Sequence, residues 1–324
     1  MTETRDREES APEIKEAVSS EEAAESAKRR GWRIFSRNRA ALIGLIVLGV
    51  IVIATLIGPI LSPYDPLAQD VPNRFQPPSL AHPMGTDELG RDSLTRVLIG
   101  GRQSLAVAGF ATVVALVLGL VVGATAGFYG RWVDNVLMRF VDLALSLPDL
   151  FLLILASALL GPSFWTIVII IGFVRWMNPA RLVRGSFLSL REQEFVEAAR
   201  AVGAGPFRIM TRHLLVNSLS PVIVAGTLLI ASAIIAESTL SFLGLGLQPP
   251  ASSWGSMLRN TQSQMFTAPW AAVFPGMMIF LTVIAINFVG DGLRDVFDPE
   301  GATRIQPGFK GRVRKLMTPR PKQA

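Results

Sequence analysis

Residues 181–213 read RLVRGSFLSLREQEFVEAARAVGAGPFRIMTRH, the longest hydrophilic run inside an otherwise apolar body. The run lies between two charge-free segments, 150–174 and 214–236. Each of these segments is longer than the ~20 residues that cross the core of a bilayer. A polar segment in this position is typical of a loop between membrane spans, and its length indicates a contact with something in water.

The composition is that of a polytopic membrane protein. Half of the residues are hydrophobic, 17% are charged and the mean hydropathy is +0.42. The chain has no cysteine, which excludes disulfides, thiolate metal sites and cysteine nucleophiles. Charge-free runs mark the spans, and Gly161-Pro162-Ser163 divides the long apolar region 136–176 into two. We predict six spans, near 40–61, 104–128, 137–160, 164–178, 216–238 and 271–290.

The positions of lysine and arginine predict the orientation of these spans. With the N-terminus inside, 26 of the 31 basic residues lie in inner segments and five in outer ones. Both termini are therefore expected in the cytoplasm of a multi-pass protein of the cell membrane, inner or plasma. The net charge of +6 reflects this topology and does not indicate nucleic-acid binding.

The same patterns predict four regions along the chain. Residues 1–35 form a disordered, mainly acidic cytoplasmic tail whose basic end is suited to anionic membrane lipid. Residues 36–103 hold the first span and an irregular external segment. Residues 104–291 form a core of five spans, and residues 292–324 form a second cytoplasmic tail.

The hydrophilic run contains signals for two helices. Ser189 and Glu192 have capping-box spacing, which predicts a helix from about 190 to 202 that Gly203 ends. Pro206 is suited to the first turn of a second helix, which runs into the next span.

Each of these helices has an apolar stripe. The stripe of the second helix comprises Phe207, Met210 and Leu214. The small apolar face of the first helix favours docking of a protein partner over resting on lipid. Its members are Phe195, Ala198, Ala199 and Val202.

Glu197-Ala198-Ala199, followed by Gly203, resembles the EAA motif of permease subunits of bacterial ABC importers. Longer stretches resemble the C-type permease subunit of dipeptide and oligopeptide ABC importers, and the similarity extends from about Ser36 to Pro299. The family often has a Leu-Pro-Asn run where this chain has Leu215-Val216-Asn217. The stretches that carry the resemblance are 82–105, 139–163, 180–204 and 240–258.

This resemblance implies an all-α membrane protein with six transmembrane helices and the type I ABC importer permease fold. It implies a permease subunit without enzymatic activity, in which Glu197, Ala198, Ala199 and Gly203 form the coupling helix that contacts a separate ATPase. The implied partners are a homologous B-type permease, two ATP-binding subunits and an external substrate-binding protein. No cofactor is expected in this chain, because it has no Gly-Lys dipeptide and hence no P-loop; ATP and magnesium would bind to the partner ATPase.

Several ionisable residues fall at or near membrane depth. Asp142, Asp149 and Glu237 are candidates for a substrate pathway, because charged groups within a bilayer usually face protein or water. Structural pairing is the alternative, for example between Arg139 and Asp142 one helical turn apart. The same acids raise a second function, an ion-coupled secondary transporter, which predicts an inverted repeat that the sequence does not display. An intramembrane hydrolase would need a nucleophile–base pair, and none is visible.

Overall fold

The computed structural model describes residues 29–297, which divide into two units. The smaller unit joins residues 29–39 to residues 291–297, where the Asn38 Nδ2 donates a hydrogen bond to Asp295 Oδ2 at 2.9 Å. Residues 29–35, the basic end of the predicted N-terminal tail, are helical. The predictions for residues 1–28 and 298–324 lie outside the described residues.

The larger unit, residues 40–290, contains the membrane core. Among residues 29–297 the one β feature is an isolated bridge between Thr86 and Asp92. A π-helical turn at Ile209–Leu214 joins α9 to α10, so that Pro206–Phe242 is one continuous helix. The helices are α1 (29–37), α2 (Arg39–Leu61), α3 (Ser93–Tyr129), α4 (Arg131–Leu145), α5 (Asp149–Leu160), α6 (Phe164–Arg175), α7 (Met177–Leu190), α8 (Glu194–Ala201), α9 (Pro206–Arg208), α10 (Leu215–Phe242), α11 (Trp254–Asn260) and α12 (Pro269–Phe297).

Four of these helical stretches are long and apolar enough to cross a membrane: Arg39–Leu61, Ser93–Tyr129, Pro206–Phe242 and Pro269–Phe297. Two bent pairs, α4 with α5 and α6 with α7, complete six spans when each pair is counted as one. The all-α fold with six spans is therefore confirmed.

The span predicted at 137–160 is not one straight helix. It is broken between α4 and α5, whose axes differ by 85°, and Ser146, Leu147 and Pro148 form the elbow between them. Proline lacks a backbone N–H and disfavours helical geometry in the residue before it, which accounts for the break. The predicted end of this span is confirmed, because α5 stops at Leu160 and Gly161 follows with a φ of +78°.

The next span also differs from its prediction. The predicted end at 178 is wrong, because α7 continues the helix to Leu190 at an angle of 44° to α6. Ser189 therefore lies inside a helix, and the predicted capping box is wrong; Gln193 precedes α8 without a capping side-chain hydrogen bond. Tertiary packing overrides the local signal here, since α7 buries Val183 and Phe187 against α3.

Helix α3 begins at Ser93, well before the predicted 104. The side chain of Asp92 caps it by accepting a hydrogen bond from the Thr95 N–H at 2.8 Å. Arg96 lies within this first part of α3 and is buried, with its Nε 3.8 Å from Asp87 Oδ2. The charge of Arg96 predicts an exposed loop. In the fold, the buried carboxylate of Asp87 accommodates that charge inside the protein.

Three glycines form a seam where α3 lies against α7. A Cβ on Gly119 would lie 2.9 Å from the Trp176 carbonyl oxygen, and one on Gly127 would lie 2.6 Å from the Phe187 Cβ. A Cβ on Gly123 would meet the Ala180 carbonyl oxygen and lie 2.8 Å from the Val183 Cβ. The four-residue spacing of these glycines thus serves close packing between helices.

Gly123→Ala should destabilise the purified chain, whereas Gly109→Ala should stabilise it. Both glycines lie on α3, but a Cβ on Gly109 has no other atom within 4 Å. Alanine in an open helical position gains about 0.5–1 kcal/mol over glycine, whereas overpacking costs about 1–3 kcal/mol. Thermal unfolding in detergent should give shifts of opposite sign, and shifts of the same sign would contradict the seam.

Candidate functional site

Helix α8 is anchored to the membrane core by its inward face. Val196 is fully buried and Ala199 is 7% exposed, and both belong to a cluster with Val183 and Phe187 of α7. Ile209 of the π-helical turn belongs to the same buried cluster. Burial of these apolar groups fixes the helix at the end of the bundle where α3 and α7 terminate.

The opposite side of α8 is open. Glu197 and Ala198 of the predicted motif are exposed, whereas Ala199 turns inward. The predicted four-residue apolar face is therefore wrong at Ala199. Five exposed residues at this end are called the α8 face: Phe195, Glu197, Ala198, Val202 and Phe207.

A glycine ends α8 as the sequence predicts. The Gly203 N–H donates to the Arg200 carbonyl and the Ala204 N–H to the Ala199 carbonyl, both at 3.0 Å. This is the Schellman arrangement, which requires positive φ at its central residue, and Gly203 has a φ of +82°. Gly203 is therefore required by the backbone that sets the direction of the chain after α8.

The π-helical turn changes which residues of the second helix face inward. Leu214 is fully buried, but Phe207, which the sequence placed on the same stripe, is 74% exposed. A π-turn contains more residues than an α-turn and so rotates the later residues relative to the earlier ones. The chain then continues helically through Val216, where the family pattern often has proline.

Two ion pairs join α4 to α7 near this end. Asp142 pairs with Arg181, not with Arg139 as the spacing suggested, and Asp134 pairs with Arg184 through both carboxylate oxygens. Asp142 and Arg181 are each about half exposed, so this pair contributes little to stability.

Asp149 is the first residue of α5, directly after the elbow. Its Oδ2 lies 3.1 Å from Arg175 Nη2, and its Oδ1 accepts a hydrogen bond from the Leu150 N–H. The side chain of Asp149 is 54% exposed, while the Arg175 Nε is buried without a hydrogen-bond partner. The pair therefore has an open side and an unfilled donor.

Glu237 is fully enclosed by protein in this conformation. It accepts hydrogen bonds from Ser104 Oγ on α3 at 2.9 Å and from Ser241 Oγ on α10 at 2.7 Å. Ser104 Oγ in turn accepts from the Trp254 backbone N–H of α11 at 3.3 Å. Glu237 thus connects three helices and lines no open surface of the chain here.

Sequence reasoning missed the partners of these acids. Ser104 and Trp254 share a hydrogen bond although 150 residues separate them along the chain. Neither residue forms a recognisable sequence motif with Glu237. Arg184 likewise carries no sign that Asp134 is its partner. Within residues 29–297 no three His, Asp or Glu side chains are grouped so as to hold a metal ion.

Comparison with protein families matches two parts of the chain. Residues 115–300 match the family described as binding-protein-dependent transport system inner membrane component. Residues 26–78 match the N-terminal transmembrane domain of oligopeptide transport permease C.

Whole-chain comparisons give relatives of similar length. A peptide permease protein of Brucella suis biovar 1 is 43% identical over 267 residues, 82% of this chain and 88% of the relative. A dipeptide transport system permease protein of Alkalihalophilus pseudofirmus is 41% identical over 272 residues, 84% of this chain and 90% of the relative. Among solved structures, the MetNI methionine ABC transporter in inward-facing conformations is similar over 61% of this chain and 95% of that chain, with a TM-score of 0.48 and 19% identity.

Three observations indicate the same family of transport permeases: the helical core, the matched segment 115–300 and the relatives above 40% identity. This chain is a multi-pass membrane protein that belongs to the binding-protein-dependent transport system inner membrane component family, the permease subunits of ABC importers.

Proposed function

We propose that this chain is the permease subunit of an ATP-driven importer of dipeptides or oligopeptides. It forms half of the translocation pathway and couples that pathway to a separate ATPase. The names of the relatives support the peptide cargo. The family supports a transport subunit that works with ATPase and substrate-binding partners.

The observation that carries the coupling role is the construction of α8. Its inward side is fixed by Val196 and Ala199, while Glu197 and Ala198 remain exposed beside it. A rigidly seated helix with a small open face can pass a displacement into the spans packed behind it. Exposed carboxylates on that face suit a partner with basic groups, because complementary charge orients docking.

The full assembly in this proposal adds four partner subunits of three kinds, besides membrane lipid. They are a homologous B-type permease, two ATP-binding subunits that hold ATP and magnesium, and an external substrate-binding protein. The excess of lysine and arginine in the predicted inner segments supports cytoplasmic termini and a cytoplasmic position for α8. ATP hydrolysis belongs to the partner, so this chain is a transporter subunit and not an enzyme.

Uptake by reconstituted vesicles tests the proposal. The chain, its B-type partner, the ATPases and the binding protein are incorporated into liposomes with a radiolabelled dipeptide such as alanyl-alanine. We expect accumulation that needs ATP and the ATPase subunits. Uptake driven by a proton gradient in vesicles that lack the ATPases would instead establish the ion-coupled transporter and refute the proposal.

A further inference from the structure

The elbow between α4 and α5 lies close to the middle of the membrane. The packing of α6 and α7 against α3 gives the depth of the elbow. Gly172 packs against Val114, and the Trp176 carbonyl packs against Gly119. Arg175 is therefore level with residues 114–119, which are central in the charge-free run 103–130. That run is roughly 40 Å long as a helix, against a hydrocarbon core of roughly 30 Å. Asp149 is bonded to Arg175 and shares its depth.

The backbone of the elbow is not helical, and its residues are exposed. Every residue from 146 to 151 is exposed in the chain, and the Asp149 side chain is 54% exposed. Irregular backbone does not occur against lipid at membrane depth, because its polar groups would have no hydrogen-bond partner there. A charged group in the same place also needs water or protein around it. The elbow must therefore face either another protein chain or an aqueous pathway.

The charge pair favours the aqueous pathway. Asp149 and Arg175 place one anion beside one cation, and the carboxylate is open on its exposed side. The Arg175 side chain is 25% exposed, so part of its guanidinium beside Asp149 is open to a second acceptor.

We infer that the Asp149–Arg175 pair is a contact site for zwitterionic cargo at the midpoint of the translocation pathway. Asp149 binds the solute ammonium group, and Arg175 binds its carboxylate through a charge-assisted hydrogen bond. The discontinuous α4–α5 span resembles the broken helices that carry binding sites near the midplane of other transporters. The inference rests on the proposed function, because it names where that function handles its substrate.

Thiol labelling tests whether water reaches the elbow. The chain has no cysteine, so a single introduced thiol reports on one position. Leu147→Cys, at 51% exposure, is compared with Val117→Cys, at 55% exposure and the same depth on α3. Both variants are treated with a charged, membrane-impermeant methanethiosulfonate reagent in the assembled, reconstituted transporter. We expect position 147 to react at least tenfold faster than position 117.

Two results would refute the inference that water in a translocation pathway reaches the elbow. Equal reaction rates at positions 147 and 117 would show that the reagent does not single out the elbow. No reaction at position 147 would show that lipid or protein covers it. If the thiol then reacted in the isolated chain reconstituted in the same lipid, the cover would be identified as a partner subunit.

Protection by solute tests recognition of charge. Alanyl-alanine at millimolar concentration should slow labelling at position 147 at least threefold, whereas N-acetyl-alanyl-alanine amide should not. Adding Asp149→Asn and Arg175→Gln to Leu147→Cys should remove the protection but leave the labelling. Equal protection by both dipeptides, or protection that survives the double substitution, would refute the zwitterion site.

Failure of this inference and failure of the proposed function give different results. ATP-dependent uptake by the unsubstituted transporter decides the proposed function and does not involve the elbow thiol. Normal uptake together with an unreactive or unprotected position 147 would reject the elbow site alone. Absence of ATP-dependent uptake would reject the function on which the site rests.

Discussion

Glu197→Lys should lower co-purification of the ATPase and ATP-dependent uptake at least about tenfold, while the chain stays folded and inserted. Glu197 is exposed on α8, and the buried residues Val196 and Ala199 that seat the helix are untouched. Reversing a charge that becomes buried and paired at an interface typically costs about 2–5 kcal/mol, and 1.4 kcal/mol corresponds to tenfold in affinity. Ala198→Trp, which fills the same surface with a large ring, should have a comparable effect through steric exclusion.

Glu192→Lys is the matched control for Glu197→Lys. Glu192 is 76% exposed and lies just before α8, and its ion pair with Arg191 is long, at 3.9 Å. Its reversal introduces the same charge change outside the α8 face. We expect uptake close to that of the unsubstituted chain. Equal losses for both variants would point to a general charge effect, and no loss for either would refute docking through α8.

Trp254→Ala should destabilise the purified chain by about 3–5 kcal/mol, the range for removing a large aromatic side chain from a core. Trp254 is fully buried, and its Nε1 donates a hydrogen bond to the Val97 carbonyl of α3 at 2.9 Å. A Cβ on Gly101 would lie 2.6 Å from its ring, so the pocket is shaped around the indole. Loss of the ring would loosen α11 from α3 and disturb the hydrogen bonds around Glu237.

Trp132→Ala provides the comparison, because Trp132 is 75% exposed on α4. Its replacement should change the free energy of unfolding of the isolated chain by no more than about 0.5 kcal/mol. Trp254→Phe should fall between the two, since it keeps most of the ring and loses the donor. Unfolding in detergent, followed by tryptophan fluorescence or circular dichroism, measures all three. Similar shifts for Trp254→Ala and Trp132→Ala would contradict the packing described for α11.

The parts of the fold that sequence reasoning predicted depend on local properties. Apolar length placed the spans, a residue able to take positive φ ended α8 at Gly203, and proline opened α9 at Pro206. The glycine repeat on α3 predicted close packing, although only the structure identifies α7 as the partner. Each of these signals acts within one or two turns of the chain, so it is visible without the tertiary structure.

The errors arise where distant segments compete with a local signal. Ser189 has the spacing of a helix cap, but α7 continues through it because Val183 and Phe187 pack against α3. Arg96 and Arg102 predict a segment outside the membrane helices. Both nevertheless lie in the first turns of α3, where Arg96 is beside Asp87. Burial against another helix stabilises the first conformation and an internal carboxylate beside Arg96 the second, and the local residues alone favour neither.

The sequence by itself determined the membrane class, the number of spans and the position of α8, because these follow from apolar length and helix-end chemistry. Only the tertiary structure decided which side of α8 is free, which arginine each aspartate meets, and that Glu237 is enclosed while Asp149 is open. The physical reason is that pairing and burial depend on helices far apart in the chain. Their relative rotation and depth are set by packing, as at the glycine seam and the elbow, and not by the spacing of residues along one helix.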